Sequence, residues 1–350
     1  MDINELLQLA VENGASDIHL TVGVPPVFRL DGLLVKLDKL ERLLPEDTEK
    51  FAKTIMSDKQ IEHFENKGEV DFSYSILGFC RFRVNIYHQR GSVGLALRAI
   101  PITVPTIDSL GLPNILKDIA TIKRGLVLVT GPTGSGKSTT LASVVNHINE
   151  TRNEHVLTLE DPIEYLHRHN RSMVNQRELG IDTMSYADAL RAALRQDPDV
   201  ILIGEMRDLE TISIAITAAE TGHLVLSTLH TMGAVATIDR IIDVFPSDQQ
   251  QQIRIQLSAV LQGVISQQLI RKADNSGRVA AMEIMMCNAA IRNHIREGKT
   301  YQIMNSIQTN RKDGMISMDA FISELYKSNV ISYDEAIAHA VDRDFLAKML

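Results

Sequence analysis

The chain has 350 residues, with 36 Lys and Arg against 44 Asp and Glu, which gives a net charge of −8 with neutral His and a pI of about 5.8. The length suggests two or three domains. With 44% hydrophobic and 23% charged residues, the composition excludes a chain that is disordered throughout. The acidic balance disfavours a protein whose main work is to bind nucleic-acid phosphates, although it leaves room for a local basic groove.

The cysteine content and the N-terminal sequence indicate the cellular compartment. Cys80 and Cys287 are the two cysteines and neither lies in a CxxC pattern, so the sequence predicts no disulfide framework and no zinc site. The N-terminal residues lack a secretory signal pattern, and no apolar run reaches the roughly 18 residues of a membrane span. We therefore expect a soluble protein of a reducing, cytoplasmic compartment, with peripheral membrane association only.

Residues 1–100 predict a small α+β domain. The predicted elements in chain order are a helix at 4–12, strands at 17–22 and 27–37, polar helices at 45–56 and 58–66, and three antiparallel strands within 69–100. Asp31-Gly32 predicts a hairpin turn inside the second strand segment. Gly78 and Gly91-Ser92 separate the last three strands.

Proline and glycine residues that interrupt regular structure then mark a change of architecture. Pro101, Pro105, Gly111 and Pro113 predict a linker at 101–113. After it, buried-strand runs alternate with helical stretches, which is typical of an α/β domain with a parallel sheet at 114–350. These runs are 126–129, 156–159, 200–203 and 224–226, and from 247 onward the pattern is mostly helical with one hairpin around 274–277. A helical C-terminal region is expected over about 288–350.

A phosphate-binding loop is the strongest single signal. The pattern GxxxxGK[ST] is matched at every fixed position by Gly131, Pro132, Thr133, Gly134, Ser135, Gly136, Lys137 and Ser138. A predicted strand precedes it and a helix at 139–148 follows, so that backbone N–H groups and a helix N-terminus face the phosphates. Lys137 would reach the β and γ oxygens, Ser138 would bind Mg²⁺, and Thr139 completes the nucleotide-binding set. The alternative is a glycine-rich turn between strand and helix.

Acidic residues follow two other predicted strands. Glu205 comes after 200–203, at the carboxyl end where α/β sheets bind ligands, and we take it as the carboxylate on the metal side. Glu160, Asp161 and Glu164 follow 156–159, and one of them is expected to orient the attacking water. For Glu160 and Asp161 a solvated acidic loop is the alternative.

Two histidines and two arginines also stand near these segments. His230 follows the strand at 224–226, where it would face the phosphates and sense the γ-phosphate, whereas His223 precedes that strand. A lone histidine is more often structural, and that alternative stays open for both. Arg191 and Arg195 lie one turn apart on a predicted helix and are expected to be solvated or paired.

Together these motifs resemble the Walker A, Asp box, Walker B and His box of secretion-superfamily ATPases, the GspE/PilT family. The four segments are 131–138, 158–164, 197–208 and 220–231. Further stretches are similar to the pilus retraction branch of that family, so that the resemblance covers essentially the whole chain: 15–20, 174–178, 238–246 and 290–298. The last resembles an element tied to retraction, with His294 where leucine is usual.

The resemblance implies a PAS-like N-terminal α+β domain, a RecA-like P-loop NTPase domain, and a homohexamer that binds ATP and Mg²⁺ between neighbouring subunits. By the family's roles, Glu164 is the glutamate that activates water and Glu205 is the Walker B acid that acts on Mg²⁺. His223 and His230 are the His-box residues. Arginines of the N-terminal domain complete the site, and the candidates are Arg83 and Arg98, for which an ordinary surface position is the alternative.

The leading hypothesis is therefore a hexameric ATPase motor of type IV pilus retraction and twitching motility. It would work at the cytoplasmic face of the inner membrane, at the pilus base, on a PilC-like platform protein. The alternatives within the family are a PilU-like accessory paralogue and a pilus-assembly or type II secretion ATPase. Assembly ATPases usually carry a further N-terminal domain and a four-cysteine zinc site, and this sequence begins at the PAS-like segment. A RecA-like nucleic-acid motor and a nucleotide-binding regulator without turnover are the alternatives outside it.

Overall fold

The structure is a computed structural model that describes residues 2–30, 32–76, 79–100 and 103–350. The chain divides into two units, Met1–Thr103 with Glu164–Leu166, and Val104–Ile163 with His167–Leu350. Asp31, Gly78 and Pro101, where the sequence predicts a turn, a strand break and the start of a linker, lie outside the described residues.

The first unit contains one antiparallel sheet with helices, which confirms the α+β prediction. Its strands are β1 (Asp17–Leu20), β2 (Val27–Leu30), β3 (Leu33–Lys36), β4 (Glu69–Ile76), β5 (Cys80–Gln89) and β6 (Ser92–Ile100). Its helices are α1 (Ile3–Glu12), α2 (Pro45–Ile55) and α3 (Asp58–Lys67). The sheet order is β3-β2-β1-β6-β5-β4. Ile18, Phe82 and Leu97 point to the buried face, where they pack with Leu6 and Leu7 of α1.

The second unit is built on a seven-stranded sheet. Its strands are β7 (Gly125–Thr130), β8 (His155–Glu160), β9 (Met173–Glu178), β10 (Val200–Ile203), β11 (Leu224–Leu229), β12 (Leu261–Arg271) and β13 (Arg278–Met286). The sheet order is β13-β12-β7-β11-β10-β8-β9, and every neighbouring pair is parallel except β12 and β13. This confirms the predicted parallel α/β architecture.

Helices cover both faces of this sheet. They are α4 (Ile115–Thr121), α5 (Lys137–Thr151), α6 (Tyr186–Ala193), α7 (Leu209–Glu220), α8 (Ala234–Asp243), α9 (Gln250–Val260), α10 (Ala289–Arg296), α11 (Ile303–Thr309), α12 (Met318–Lys327), α13 (Tyr333–His339) and α14 (Arg343–Met349). Along β7, Leu126 and Leu128 pack into one hydrophobic cluster while Val127 and Val129 pack into the other. A strand buried on both faces must be apolar at every position, which explains the continuous runs seen in the sequence. In the described part of the chain, no helix is long and apolar enough to cross a membrane.

The structure differs from the sequence prediction at two strands of this sheet. β9 was not predicted, because its alternating polar residues lie at the sheet edge and give no apolar run. The predicted hairpin around 274–277 is present, but its strands are long and β12 pairs in parallel with β7. The chain after 247 is therefore less helical than predicted, although helices α10–α14 do occupy the C-terminal end.

A buried carboxylate ties β13 to the start of α8. Glu283 is 2% exposed, and its Oε1 accepts a hydrogen bond of 2.8 Å from the backbone N–H of Ala234. Burial raises the pKa of Glu283 above its usual 4.5, although backbone N–H donors from Ala234 and Met318 act in the opposite direction. A carboxyl group with a raised pKa in the folded state ionises more easily when the chain unfolds, so stability falls as pH rises past the usual value.

We therefore expect Glu283→Gln, which keeps the acceptor oxygen and removes the titration, to gain stability relative to the parent as pH rises from about 4 to 7. Thermal unfolding of both proteins across that range measures the difference. Glu49→Gln, at an exposed carboxylate of α2, is the control and should show no such gain. A constant difference at all pH values would contradict the account of Glu283.

Candidate functional site: a phosphate loop and acidic residues at one sheet edge

The parallel register gathers several chain segments at one edge of the second sheet. Thr130 at the end of β7 pairs with Leu229 of β11, and Ile203 at the end of β10 pairs with Ser227 of β11 and Leu159 of β8. The segments that leave these strands therefore emerge side by side. They carry the phosphate loop, His230, Glu205 and Glu160.

The phosphate loop connects β7 to α5. Gly136 precedes the first residue of α5 with φ of +87°, and the Lys137 side chain folds back over the loop. Its Nζ donates to the carbonyl oxygens of Gly131 at 2.9 Å and Pro132 at 3.0 Å, with Lys137 only 9% exposed. The Ser135 hydroxyl is buried and lacks a hydrogen-bond partner within the described residues. A cation, a helix N-terminus and an unsatisfied hydroxyl together fit a bound phosphate chain.

Glu205 is the acid nearest to His230 at this edge. Its side chain is 15% exposed, and it forms an ion pair with Arg207. Its Oε2 lies 3.1 Å from Nε2 of His230, so the residues that the resemblance assigns to the Walker B and His-box motifs are in direct contact. A pocket of about 400 Å³ opens beside them, lined also by Arg240. The imidazole ring and the carboxylate can hydrogen-bond to each other and to a polar ligand in this pocket.

The donor set at this edge fits Mg²⁺ only together with a nucleotide. Within residues 2–30, 32–76, 79–100 and 103–350, no group of three or more His, Cys, Asp or Glu side chains is arranged to hold a metal ion. Mg²⁺ in nucleotide sites is usually bound through one or two protein oxygens plus phosphates and water. Ser138, half-buried in the first turn of α5, and Glu205 are the oxygen donors present for that purpose.

The acidic segment after β8 separates into residues with different environments. Glu160 is held in place because its Oε1 accepts from Thr158 Oγ1 at 2.6 Å and from Gln176 Nε2 at 3.0 Å. Asp161 is exposed, as a solvated loop predicts. Glu164 is exposed as well, and it belongs with Glu164–Leu166 to the first unit. Of these acids, Glu160 has the surroundings of a structural residue.

Tyr186 on α6 packs against the hydrophobic core and also lies among the acids of this edge. Burial raises the pKa of its phenol, and the negative charges of Asp161 and Glu205 raise it further. The phenol therefore stays protonated and can only donate or accept a hydrogen bond. The sequence signal for this position was weak, since a tyrosine at helical spacing is usually a core residue.

The two histidines do not lie together. His223 precedes β11 and its carbonyl oxygen accepts from Gly125 N at 3.0 Å, which places it beside the start of β7. Its ring Nδ1 lies 2.9 Å from the carbonyl oxygen of Ala218 in α7. Because His230 follows the other end of the same strand, the two histidines lie at opposite ends of β11 within one subunit, as their sequence positions predict.

In the first unit, charged side chains form a row across the sheet, on the face opposite the core. The cross-strand partners are Arg83 with Arg98, Arg98 with Asp17, and Asp17 with Arg29. Arg98 Nε donates to Asp17 Oδ1 at 2.8 Å. Burial alone would raise the pKa of Asp17, but the hydrogen bonds from Arg98 and Ser16 outweigh it and lower that pKa. Arg98 is therefore held by a carboxylate, whereas Arg83 has no hydrogen bond or ion pair to any described residue.

Sequence reasoning missed one residue of the phosphate loop's surroundings. Gln267 of β12 is buried and donates from Nε2 to the carbonyl oxygen of Ser135 at 2.6 Å. The signal was the polar run of Ser266, Gln267 and Gln268 inside an otherwise apolar segment. Arg191 is paired, as expected, with Asp188 at 3.2 Å and also with Glu210.

The sequence and the fold are both similar to those of known proteins. The type IV pilus retraction ATPase PilT of Pseudomonas aeruginosa is 49% identical over 336 residues, which is 96% of this chain and 97% of the relative. The type IV pilus ATPase PilU of the same organism is 40% identical over 350 residues, covering 100% of this chain and 91% of the relative. A crystal structure of the pilus retraction motor PilT with bound ADP superposes with a TM-score of 0.93 at 51% identity, covering 99% of both chains.

This structural likeness supports the fold of an N-terminal domain followed by a RecA-like ATPase domain. The family model for type II/IV secretion system proteins matches residues 1–319. With the phosphate loop, Glu205 and His230 at one sheet edge, the chain belongs to the type II/IV secretion system protein family.

Proposed function

We propose that this protein is a hexameric ATPase motor that powers type IV pilus retraction. The observation that carries the proposal is the arrangement of Lys137, Glu205 and His230 at one sheet edge, in a chain similar along nearly its full length to a pilus retraction ATPase. The pilus setting implies a place at the cytoplasmic face of the inner membrane, at the pilus base, with a PilC-like platform protein as partner.

Residues of the second unit would have separate roles in nucleotide binding, metal binding and sensing of the γ-phosphate. The loop from Gly131 to Ser138 would bind the β- and γ-phosphates through backbone N–H groups, and Lys137 would leave its carbonyl partners for phosphate oxygens. Mg²⁺, bound through Ser138 and on the side of Glu205, would neutralise charge on the phosphates. His230, which touches Glu205, would report whether the γ-phosphate is present.

The family resemblance assigns two further functions to residues outside the edge where Lys137, Glu205 and His230 lie. Glu164 would activate the attacking water, and Arg83 and Arg98 would bring positive charge to the transferring phosphoryl group from a neighbouring subunit. The row on the first sheet supports the second assignment, because Asp17 holds Arg98 in a fixed orientation and Arg83 remains available. The ring would then hydrolyse ATP only when its subunits close, which converts hydrolysis into motion. His223 has no role in this scheme within its own subunit.

The same site also suits a PilU-like accessory ATPase, and the 40% identity to PilU keeps that function as the second candidate. The number and retraction of pili on cells that lack the gene distinguish a main retraction motor, an accessory ATPase and an assembly ATPase from one another. Loss of the main retraction motor predicts cells with excess pili that do not retract. Loss of an assembly ATPase predicts cells without pili, and that outcome would overturn the proposal. Near-normal retraction would instead indicate an accessory role.

Turnover itself distinguishes the motor from a nucleotide-binding regulator. Purified protein with Mg²⁺ should hydrolyse ATP well above a Lys137→Ala variant, and added DNA should not stimulate the rate. Activity equal to that of Lys137→Ala would favour a regulator, and strong stimulation by DNA would favour a nucleic-acid motor.

For the water-activating glutamate, we expect Glu164→Gln to lower the ATPase rate by about two orders of magnitude or more while nucleotide affinity is largely kept. Glu205→Ala should behave similarly. The matched control is Glu160→Gln in the same acidic segment, which should stay within a few-fold of the parent because Thr158 and Gln176 hold Glu160 in a structural role. Steady-state ATPase assays measure all three, and equal losses at positions 160 and 164 would show that the role is misassigned.

For the arginine row, Arg83→Ala and Arg98→Ala should each cost about two orders of magnitude in turnover in the assembled ring. Asp17→Asn should cost less, about tenfold, because Arg98 keeps its charge but loses the partner that orients it. Glu49→Gln breaks a different exposed ion pair of the first unit, with Lys53, and should leave turnover unchanged. Normal turnover of the arginine variants in confirmed hexamers would remove the arginines from the mechanism.

A further inference from the structure

A polar side chain of β12 is buried directly beside the phosphate loop. Ser266 pairs in parallel with Thr130, the last residue before the loop, and the next residue along β12 is Gln267. Gln267 is 2% exposed. A buried amide costs folding free energy unless its donors and acceptor are paired, so its partners indicate why it is there.

Both ends of the Gln267 amide have partners in the loop and the helix that follows it. Nε2 donates to the carbonyl oxygen of Ser135 at 2.6 Å, and Oε1 accepts from Thr140 Oγ1 at 2.8 Å. A carbonyl oxygen can only accept, so the Ser135 contact requires that Nε2 faces the loop, and the Thr140 hydroxyl then donates to Oε1. The Gln267 amide therefore links the loop to the first turn of α5.

The loop backbone also packs directly on this residue. A Cβ atom at Gly131, where φ is +142°, would lie 2.3 Å from the carbonyl oxygen of Gln267. A Cβ at Gly136, where φ is +87°, would lie 2.9 Å from Gln267 Nε2. Glycine at these two positions therefore lets the loop backbone pack closely against β12, in addition to letting it come close to a phosphate.

The contact at the Ser135 carbonyl also orients the Gly136 N–H of the same peptide group. In a trans peptide the C=O of one residue and the N–H of the next point in opposite directions. Because Gln267 holds the Ser135 carbonyl toward β12, the N–H of Gly136 is directed away from β12. That N–H belongs to the glycine-rich segment just before α5, where loops of this kind bind phosphate oxygens.

We propose that Gln267 is a positioning residue for nucleotide binding, which fixes the Ser135–Gly136 peptide so that the Gly136 N–H meets a phosphate oxygen. The inference rests on the nucleotide site of the proposed function. It assigns Gln267 no contact with the nucleotide, since it acts through the loop backbone. The interaction is present with either ATP or ADP bound, so its loss affects binding more than the chemical step.

The test compares Gln267→Met with Gln268→Met, the neighbouring buried glutamine, which donates instead toward the carbonyl oxygen of His339. Calorimetric titration with Mg-ADP should give a Kd raised about tenfold for Gln267→Met and unchanged for Gln268→Met, the scale of one lost buried hydrogen bond. The KM for ATP should rise by a similar factor while kcat stays within about twofold. An unchanged Kd in folded Gln267→Met would overturn the inference, whereas absence of binding by the parent protein would overturn the proposed function as well.

Thr140→Val gives an independent test that leaves the glutamine in place. It should raise the Kd by a smaller factor, and the double variant Thr140→Val with Gln267→Met should bind no more weakly than Gln267→Met alone. Inorganic tripolyphosphate and ATP should both displace Mg-ADP from the protein. In Gln267→Met the affinity for each should fall by the same factor, because the lost contact is with a phosphate oxygen. Additive effects of the two substitutions, or a lower melting temperature with unchanged affinity for both ligands, would show a merely structural role.

Discussion

Parallel pairing of β8, β10, β11 and β7 is the constraint on which the site depends. Strands that run in the same direction end at the same edge, so the loops that follow them meet there. That single feature places the phosphate loop beside His230, and His230 beside Glu205, although the three lie far apart in sequence. It also explains why His223, at the start of β11, is anchored on the opposite edge.

The sheet can serve this purpose because both of its faces are buried. Alternate residues of β7 enter two separate hydrophobic clusters, which hold the strand ends rigid while the loops beyond them carry polar groups. At the rigid edge the charges are mutually engaged: Lys137 contacts loop carbonyls, and Glu205 contacts Arg207 and His230. A nucleotide with its metal ion would exchange these internal contacts for contacts with phosphate, so binding need not leave any of these charges unpaired.

Much of this was predictable from the sequence, and the failures have physical reasons. The buried strands and the phosphate loop were predicted because continuous apolar runs and glycine spacing are strong local signals. β9 was missed because an edge strand with one polar face gives no such run. The contact of Gln267 with the phosphate loop was missed because it depends on a strand pairing with β7, more than a hundred residues away in sequence, that no local pattern encodes. The contact between Arg98 and Asp17 likewise depends on pairing between the first and last strands of the first sheet.

Under the proposed function, each ATPase site is completed by an arginine from a neighbouring subunit, and mixing inactive variants tests this proposal most directly. Subunits with Arg98→Ala keep Lys137, and subunits with Lys137→Ala keep Arg98. In a ring mixed from the two variants, some sites would combine Lys137 of one subunit with Arg98 of its neighbour. The account predicts that each variant alone is nearly inactive and that mixed hexamers recover a substantial fraction of the parent ATPase rate. Mixed rings that remain as inactive as the separate variants would contradict it.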